Sequence, residues 1–447
     1  MSVAAPDLRK YLEALHGRSA LHVQGRVAQV IGLSIEVEGL RLAVGDVCAI
    51  QPHAGANWFS AEVVGFRNER IIVMPFADTD GVRSGSIVVP RARGFTAPAG
   101  EALLGRVLDG LGQPIDGLGP LGVGQRRPVT YSTPDPMARQ PIRQPLGVGI
   151  RAIDGLLTIG KGQRVGIFAG SGVGKSTTLG MIARNAHADV NVIALVGERG
   201  REVQEFIERD LGPEGLARSV VVVATSDQPA LQRIKAAWVA TAIAEHFREE
   251  GLDVTLMMDS VTRWAMAQRE IGLTVGEPPV VKGYPPSVFA LLPKLLEKAG
   301  TSEHGTITGL YTVLVEGDDV TEPIADAARS ILDGHIWLSR KLAHENHFPA
   351  IDVLGSVSRL MSALATPDQY QAASRLRDAL ATYRASEDLI SIGAYVPGTN
   401  PTLDQAIALM PRITAFLRQG SAENTAFEDT LSELAGLFPP EAANGAI

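Results

Sequence analysis

The chain has one cysteine in 447 residues, Cys48, so no internal disulfide forms and a reducing, cytoplasmic setting is expected. Cys48 sits in the apolar run "DVCAI", which reads as a small buried hydrophobe and not as a reactive thiol. Long hydrophobic runs are missing too: nothing approaches the roughly 20 apolar residues needed to span a bilayer. The N-terminus shows no basic region followed by an apolar block, so no secretory signal is expected. Any work at a membrane is therefore expected to proceed by peripheral docking. Basic charge is in short supply, 41 Lys and Arg against 49 Asp and Glu for a net −8, which argues against a surface built for nucleic acid. Solenoid repeats, a Ser/His/Asp nucleophile arrangement and metal-ligand spacings are also lacking. The histidines of "HENH", 344–347, have no supporting Cys/His/Asp set and read as solvated or capping residues after a helix.

What is present is enough chain for two or three domains, with the 45% hydrophobic and 20% charged residues of an ordinary globular protein. Residues 6–16, "PDLRKYLEALH", place Leu8, Tyr11, Leu12 and Leu15 on one helical stripe, either packed on its own domain or offered to a partner. From residue 21 to 90 the period changes to two. "LSIEVEGLRL" sets Leu33, Ile35 and Val37 on one face, and "RIIVMPF" and "SIVVP" repeat the strand signal, which predicts a small closed barrel. Residues 91–146, rich in Gly, Pro and Arg, read as a connection. Beyond them apolar strands such as "RVGIFA", "NVIALV", "SVVVVAT" and "VTLMM" alternate with helical segments, the pattern of a mostly parallel sheet covered on both faces. After residue 366 only helical patterns remain. The expected fold class is α/β, a P-loop core between a β-barrel domain and a helical domain. The expected boundaries are 1–18 for the helix, 19–92 for the barrel, 93–365 for the core and 366–447 for the helical tail.

The strongest motif is "AGSGVGKST", 169–177, placed between a strand and a helix as a phosphate-binding loop requires. Backbone N–H groups of Ala169, Gly170, Ser171, Gly172, Val173, Gly174 and Thr177 are the candidate phosphate cradle, unobstructed where the residue is glycine. Lys175 reaches toward the β and γ phosphates, and the Ser176 hydroxyl suits Mg²⁺. Ala169 replaces the first glycine of the usual pattern, which is tolerable if its φ is negative. Asp259 ends the strand "VTLMM" as the natural second Mg²⁺ carboxylate. Glu198, in "LVGERGRE", follows another strand, 23 residues after Lys175. A parallel sheet would deliver all of these to one edge, with Glu198 at the position of an attacking water.

"GERGRE", "MMDSVTRWA" and "PAIDVLGSVS" resemble the hallmarks of the ATP synthase α/β superfamily, and "GRVLDGLGQPID" and "GIRAIDGLLTIGKGQR" extend the likeness. "KGYPPSVFALLPKLLEKAG" and "YTVLVEGDDVTEPIADAARSILDGHIWLSR" most resemble the flagellar and type III secretion export ATPases. The resemblance implies Mg-dependent ATP hydrolysis coupled to protein export by a homo-oligomer, a hexamer. It implies Glu198 as the catalytic glutamate and Arg199 near the phosphates. It also implies Arg359 as a finger supplied by a neighbouring subunit, and Phe348 as an aromatic on the adenine ring. Spacing alone leaves Arg359 a surface arginine and Phe348 a core aromatic.

The partners implied are a coiled-coil stalk in the central opening, a regulatory or stator protein at the N-terminal helix, and export substrates or their chaperones; no nucleic acid is expected. The segment 276–289, "GEPPVVKGYPPSVF", is either a rigid surface loop or the part that bears on the stalk. Alternatives are the catalytic subunit of a rotary ATP synthase, a Rho-like RNA motor, and a non-hydrolysing scaffold. Each is disfavoured in turn: by the lack of an acidic DELSEED-type segment between 366 and 440, by the acidic charge, and by the intact Glu198.

Overall fold

A computed structural model describes residues 23–122, 124–315, 319 and 321–438. The helix expected at 6–16 lies outside the described residues. The chain divides into two compact units, Met1–Phe95 and Thr96–Ile447.

In the first unit six strands close into a barrel: β1 (Gly25–Ile31), β2 (Ser34–Glu38), β3 (Val47–Gln51), β4 (Phe59–Arg67), β5 (Arg70–Pro75) and β6 (Ile87–Ala92). Their order is β1-β2-β5-β4-β3-β6, with β6 returning to β1, so no edge is left unpaired. Val27, Ile35, Val37, Cys48, Ile50, Val63, Val73 and Val88 fill the interior. Burial pushes the Cys48 thiol up to about 12, which suits its reading as an inert hydrophobe. Leu33 departs from the expected alternation. It occupies the turn after Gly32, whose φ of 55° begins a two-residue hairpin, and it is exposed. Glu36, on the other face of β2, is buried because Arg67 and Arg70 both ion-pair with it.

The second unit is built on a mostly parallel sheet. Besides the short antiparallel strand Gly300–Thr301, its strands are β7 (Val107–Asp109), β8 (Arg164–Ala169), β9 (Val190–Val196), β10 (Ser219–Ala224), β11 (Asp253–Asp259), β12 (Thr306–Leu314), β13 (Gly334–Leu338) and β14 (Val357–Ser358). They run in the order β14-β13-β8-β12-β11-β9-β10-β7. Every residue of β9 and β10 is buried, as a sheet covered on both faces demands. The segment 91–146 is more than a connection. Val107–Asp109 adds a parallel strand beside β10, and Thr96–Ala99 pairs with Gln125–Pro128. Sequence pattern missed β7 because three residues are too few to show a period.

Helix α1 (Lys175–Asn185) follows β8, α2 (Ala230–Glu249) packs on β9, β10 and β11, and α3 (Val261–Val275) follows β11. The tail supplies α4 (Pro367–Ala385), α5 (Pro401–Leu417) and α6 (Phe427–Gly436). Leu376, Leu380, Ile413, Phe416 and Leu434 share one apolar cluster with Ile153 and Leu156 of the short helix Arg151–Leu156 and with Leu157, which follows it. Each such side chain contributes roughly 1.5–3 kcal/mol on burial, so the tail is held by the core of the sheet unit itself.

Helix α1 carries the phosphate loop into the core through a close approach at Gly180. A Cβ there would stand 2.7 Å from the backbone oxygen and the Cβ of Asp210. Alanine would gain about 1 kcal/mol of helix propensity at a buried glycine, against about 1–3 kcal/mol for overpacking a rigid neighbour. Gly180→Ala is therefore expected to lower the midpoint of urea unfolding. An unchanged or raised midpoint would show that the turn at Asp210 yields.

Candidate active site

The site forms where β8, β9, β11 and β12 end side by side. Strand register sets Leu195 beside Asp259, Met258 beside Tyr311 and Ala169 beside Leu314. Residues just past these points, including Gly170, Glu198 and Val315, line one cavity of ≈ 870 Å³. Ala169 ends β8 in extended backbone and is not among the positive-φ residues, so the position does not require glycine. Gly172 (φ 78°) and Gly174 (φ 91°) do require it, because they turn the chain through the left-handed region into α1. Ser171, Ser176 and Thr177 also line the cavity, while Val173 is buried behind it.

Lys175 Nζ donates to Asp259 Oδ1 at 2.5 Å and to Glu198 Oε1 at 3.4 Å. Thr312 Oγ1 also donates to Asp259 Oδ1, at 2.7 Å, which fixes the carboxylate from the neighbouring strand. Burial works to lower the Lys175 pKa, but the charges of Asp259 and Glu198 outweigh it and leave the ammonium more firmly protonated than usual. Glu198 is pushed up to about 7, first by burial and then by the charge of Asp259. Lys175 and Arg263 pull against that rise.

Glu198 reaches the cavity because Gly197 bends the chain at φ 73°. A Cβ at Gly197 would stand 2.8 Å from Cβ of Arg263, so this glycine also admits the arginine. Ser260 caps α3 by accepting from the backbone N–H of Arg263, which brings that residue onto the first turn after Asp259. The buried Nε of Arg263 has no hydrogen-bond partner. Arg263 and Thr312 were not singled out from the sequence. Arg263 lay inside the quoted "MMDSVTRWA", four residues beyond Asp259 and on the first turn of a helix, a spacing that signals it. Thr312 had no signal, since only strand register brings it to Asp259.

Arg199 lines the cavity, but its side chain is 79% exposed and 3.6 Å from Glu202, so it stands at the rim. The ring of Phe348 lies over the phosphate loop, where a Cβ at Gly174 would be 3.6 Å from its Cδ1 and Cε1. Arg359 is not brought to the cavity of its own chain: it is exposed, and its Nη2 donates to Arg329 O at 3.4 Å. Two residues of the proline-rich segment, Lys282 and Tyr284, form part of the cavity wall. Lys282 ion-pairs with Asp319 at 3.2 Å, and the neighbouring Val280 and Val281 face solvent. His347 is buried and desolvated and, among the described residues, makes no cluster with other ligand types.

Against known proteins, the chain matches the nucleotide-binding domain of the ATP synthase alpha/beta family over residues 149–358 and that family's beta-barrel domain over 27–91. Residues 365–436 match the T3SS EscN ATPase C-terminal domain. The chain is 56% identical over 417 residues to the flagellum-specific ATP synthase of Bacillus subtilis (strain 168), covering 92% of this chain and 94% of that one. It is 52% identical over 410 residues to the type 3 secretion system ATPase of Xanthomonas euvesicatoria, covering 92% and 93%. The assembled ATPase EscN from the enteropathogenic E. coli type III secretion system superposes with a TM-score of 0.88 at 46% identity, covering 92% of this chain and 99% of that one. EscN in complex with its central stalk EscO gives 0.85 at 45%, with the same coverage.

A group that must be ionised to accept a proton, and whose pKa lies near 7, gains activity as pH rises through that value. For hydrolysis at this site, kcat/KM is expected to rise with an acid limb near pH 7. Arg263→Met removes a charge that favours ionised Glu198 and should move the limb to higher pH. A limb that stays in place in a pH–rate profile would detach Glu198 from it.

Proposed function

We propose, on the premise that the chain belongs to the ATP synthase alpha/beta family, that it hydrolyses ATP to drive protein export as a homo-hexameric ring. The observation that carries this reading is the Lys175–Asp259–Glu198 cluster beside the phosphate loop, at the carboxyl edge of a parallel sheet. Lys175 and the loop's N–H groups bind the β and γ phosphates. Glu198 orients a water and accepts its proton as the oxygen attacks the γ-phosphorus and the bond to the ADP oxygen breaks, giving ADP and phosphate.

The Ser176 hydroxyl and Asp259 carboxylate are hard oxygen donors beside the loop and suit Mg²⁺, which keeps several waters and takes phosphate oxygens as its other ligands. Among the described residues no group of three or more His, Cys, Asp or Glu could hold an ion unaided, which fits a metal that arrives with the nucleotide. When bound, Mg²⁺ neutralises charge on the phosphates. Phe348, above Gly174, covers the base. Arg199, at the rim, meets phosphate only if it swings inward. Arg359 faces away from its own cavity, which suits a finger offered to the next subunit of a ring.

Export is favoured over proton-translocating synthesis by the C-terminal match to the T3SS EscN ATPase domain and by the flagellar and secretion relatives. EscN has been solved with a central stalk. Here the segment 276–289 offers Val280 and Val281 to solvent while Lys282 and Tyr284 line the cavity, a two-sided arrangement that supports a coiled-coil stalk bearing on it. No described helix is long and apolar enough to cross a membrane, in keeping with peripheral docking to an export apparatus. Export substrates or their chaperones complete the partners. The regulatory partner proposed for residues 6–16 concerns a segment outside the described residues.

Glu198→Gln should lower hydrolysis by about 10²–10⁴-fold while ATP binding is retained. Near-normal turnover by phosphate release would remove Glu198 as the base. Arg359→Ala should cost about 10³–10⁵ in rate. In rings mixed with Glu198→Gln subunits, activity should return only where an intact Arg359 meets an intact Glu198. Recovery that does not follow this interface count would place Arg359 elsewhere.

A further inference from the structure

Phe348 lies over the phosphate loop with its own side chain only partly covered, while His347, Pro349 and Ala350 beside it are buried. Its residue is 41% exposed. The chain on either side of it backs onto a cleft of ≈ 350 Å³ lined in part by His347, Ile351, Val353 and Leu380. The tail reaches it directly through one hydrogen bond, from the backbone N–H of Gln419 to Phe348 O at 2.9 Å, while its flanks are held by His347 N–H to Leu342 O and Ser339 N–H to Ala350 O.

Gln419, two residues past α5, is only 5% exposed, and both ends of its side-chain amide are used. Oε1 accepts from the backbone N–H of Arg151 at 2.9 Å. Nε2 donates to Gly149 O at 2.7 Å and to Glu423 O at 3.2 Å. Arg151 in turn donates through its guanidinium to Phe416 O at 2.9 Å and Arg418 O at 2.5 Å, so the residues around Gln419 are gripped as well. The helix Arg151–Leu156 that begins here leads, through the short strand Ile159–Gly160, into β8 and the phosphate loop. One buried residue thus joins three things: the entry to the phosphate loop, the tail helices and the carbonyl of Phe348. Displacing it would orphan several buried polar groups at once, which makes the arrangement stiff.

We propose that Gln419 is a positioning residue that sets Phe348 over the phosphate loop and thereby sets affinity for the base end of the nucleotide, without touching the phosphate chemistry. This rests on the reading of Phe348 as the base-covering residue. The tail is therefore part of nucleotide recognition, and any movement of α5 reaches the base before it reaches the phosphates.

The test uses Gln419→Met, which keeps the side-chain length and removes the amide. KM for ATP and the competitive inhibition constant of ADP should both rise about tenfold with kcat nearly unchanged. The inhibition constant of tripolyphosphate, which has no base, should not move. Phe348→Ala should give the same rise, and the double variant no more than either single change. Equal weakening of ADP and tripolyphosphate, or a fall in kcat alone, would show a merely structural role and overturn the proposal. A raised KM in Phe348→Ala with Gln419→Met at the wild-type value overturns it while leaving the reading of Phe348 intact. An unchanged KM in Phe348→Ala overturns that reading and the proposal with it. Where Gln419→Met fails to fold, Gln419→Glu keeps the acceptor for Arg151 N–H but cannot donate to Gly149 O, and it carries the same comparisons.

Discussion

The ammonium of Lys175 stands 2.5 Å from Asp259 and 3.4 Å from Glu198 in the half-buried wall of the cavity, and the three residues come from three different strand-to-helix connections. Two carboxylates so close would repel each other without the cation, and the cation would be costly to bury without them. The cluster therefore exists only if β8, β9 and β11 end at matched heights. Their register supplies that, with β12 between β8 and β11 adding Thr312 as a brace on Asp259. One negative charge is left in excess over Lys175, and Glu198, which carries the raised pKa, absorbs the imbalance. A buried ion cluster of this kind contributes little to stability, and its value lies in a carboxylate poised to change protonation near neutral pH.

Around this centre the molecule repeatedly trades side-chain bulk for closeness. Gly197 lets Glu198 turn inward while Arg263 passes behind it, and Gly180 lets α1 lie against Asp210. The phosphate loop, the glutamate turn and the first turn of α3 are thus packed as one rigid assembly. The base side is built differently. Phe348 rests on the loop at Gly174 and is held by polar tethers running back into the tail, which shares its apolar core with the helix before β8. The phosphate loop is placed by the sheet, and Phe348 is tied to the helical tail.

Much of this was legible in the linear chain because the signals are local. The phosphate loop needs nine consecutive residues, Asp259 ends an apolar run, and Glu198 follows one, so each could be placed at a strand's carboxyl end from pattern alone. The closed barrel was legible for the same reason, in period-two runs broken by glycine turns. Leu33 fell on the wrong side because alternation does not reveal where a strand begins, and Gly32 turns the chain one step earlier than the pattern suggests. The strand Val107–Asp109 is too short to carry a period and exists because β10 offers it an edge.

Composition and motif by themselves determined the fold class, the nucleotide chemistry and the residues at the strand ends, because each depends on neighbours within a few positions. Tertiary structure alone decided which of those residues meet. It placed Lys175 between two carboxylates, brought Thr312 and Arg263 to them, left Arg199 at the rim and turned Arg359 outward. It also tied Gln419 to Gly149 across 270 positions of chain. Such contacts are set by strand register and by the sharing of one core between distant segments, and neither leaves a periodic trace in the residues that take part.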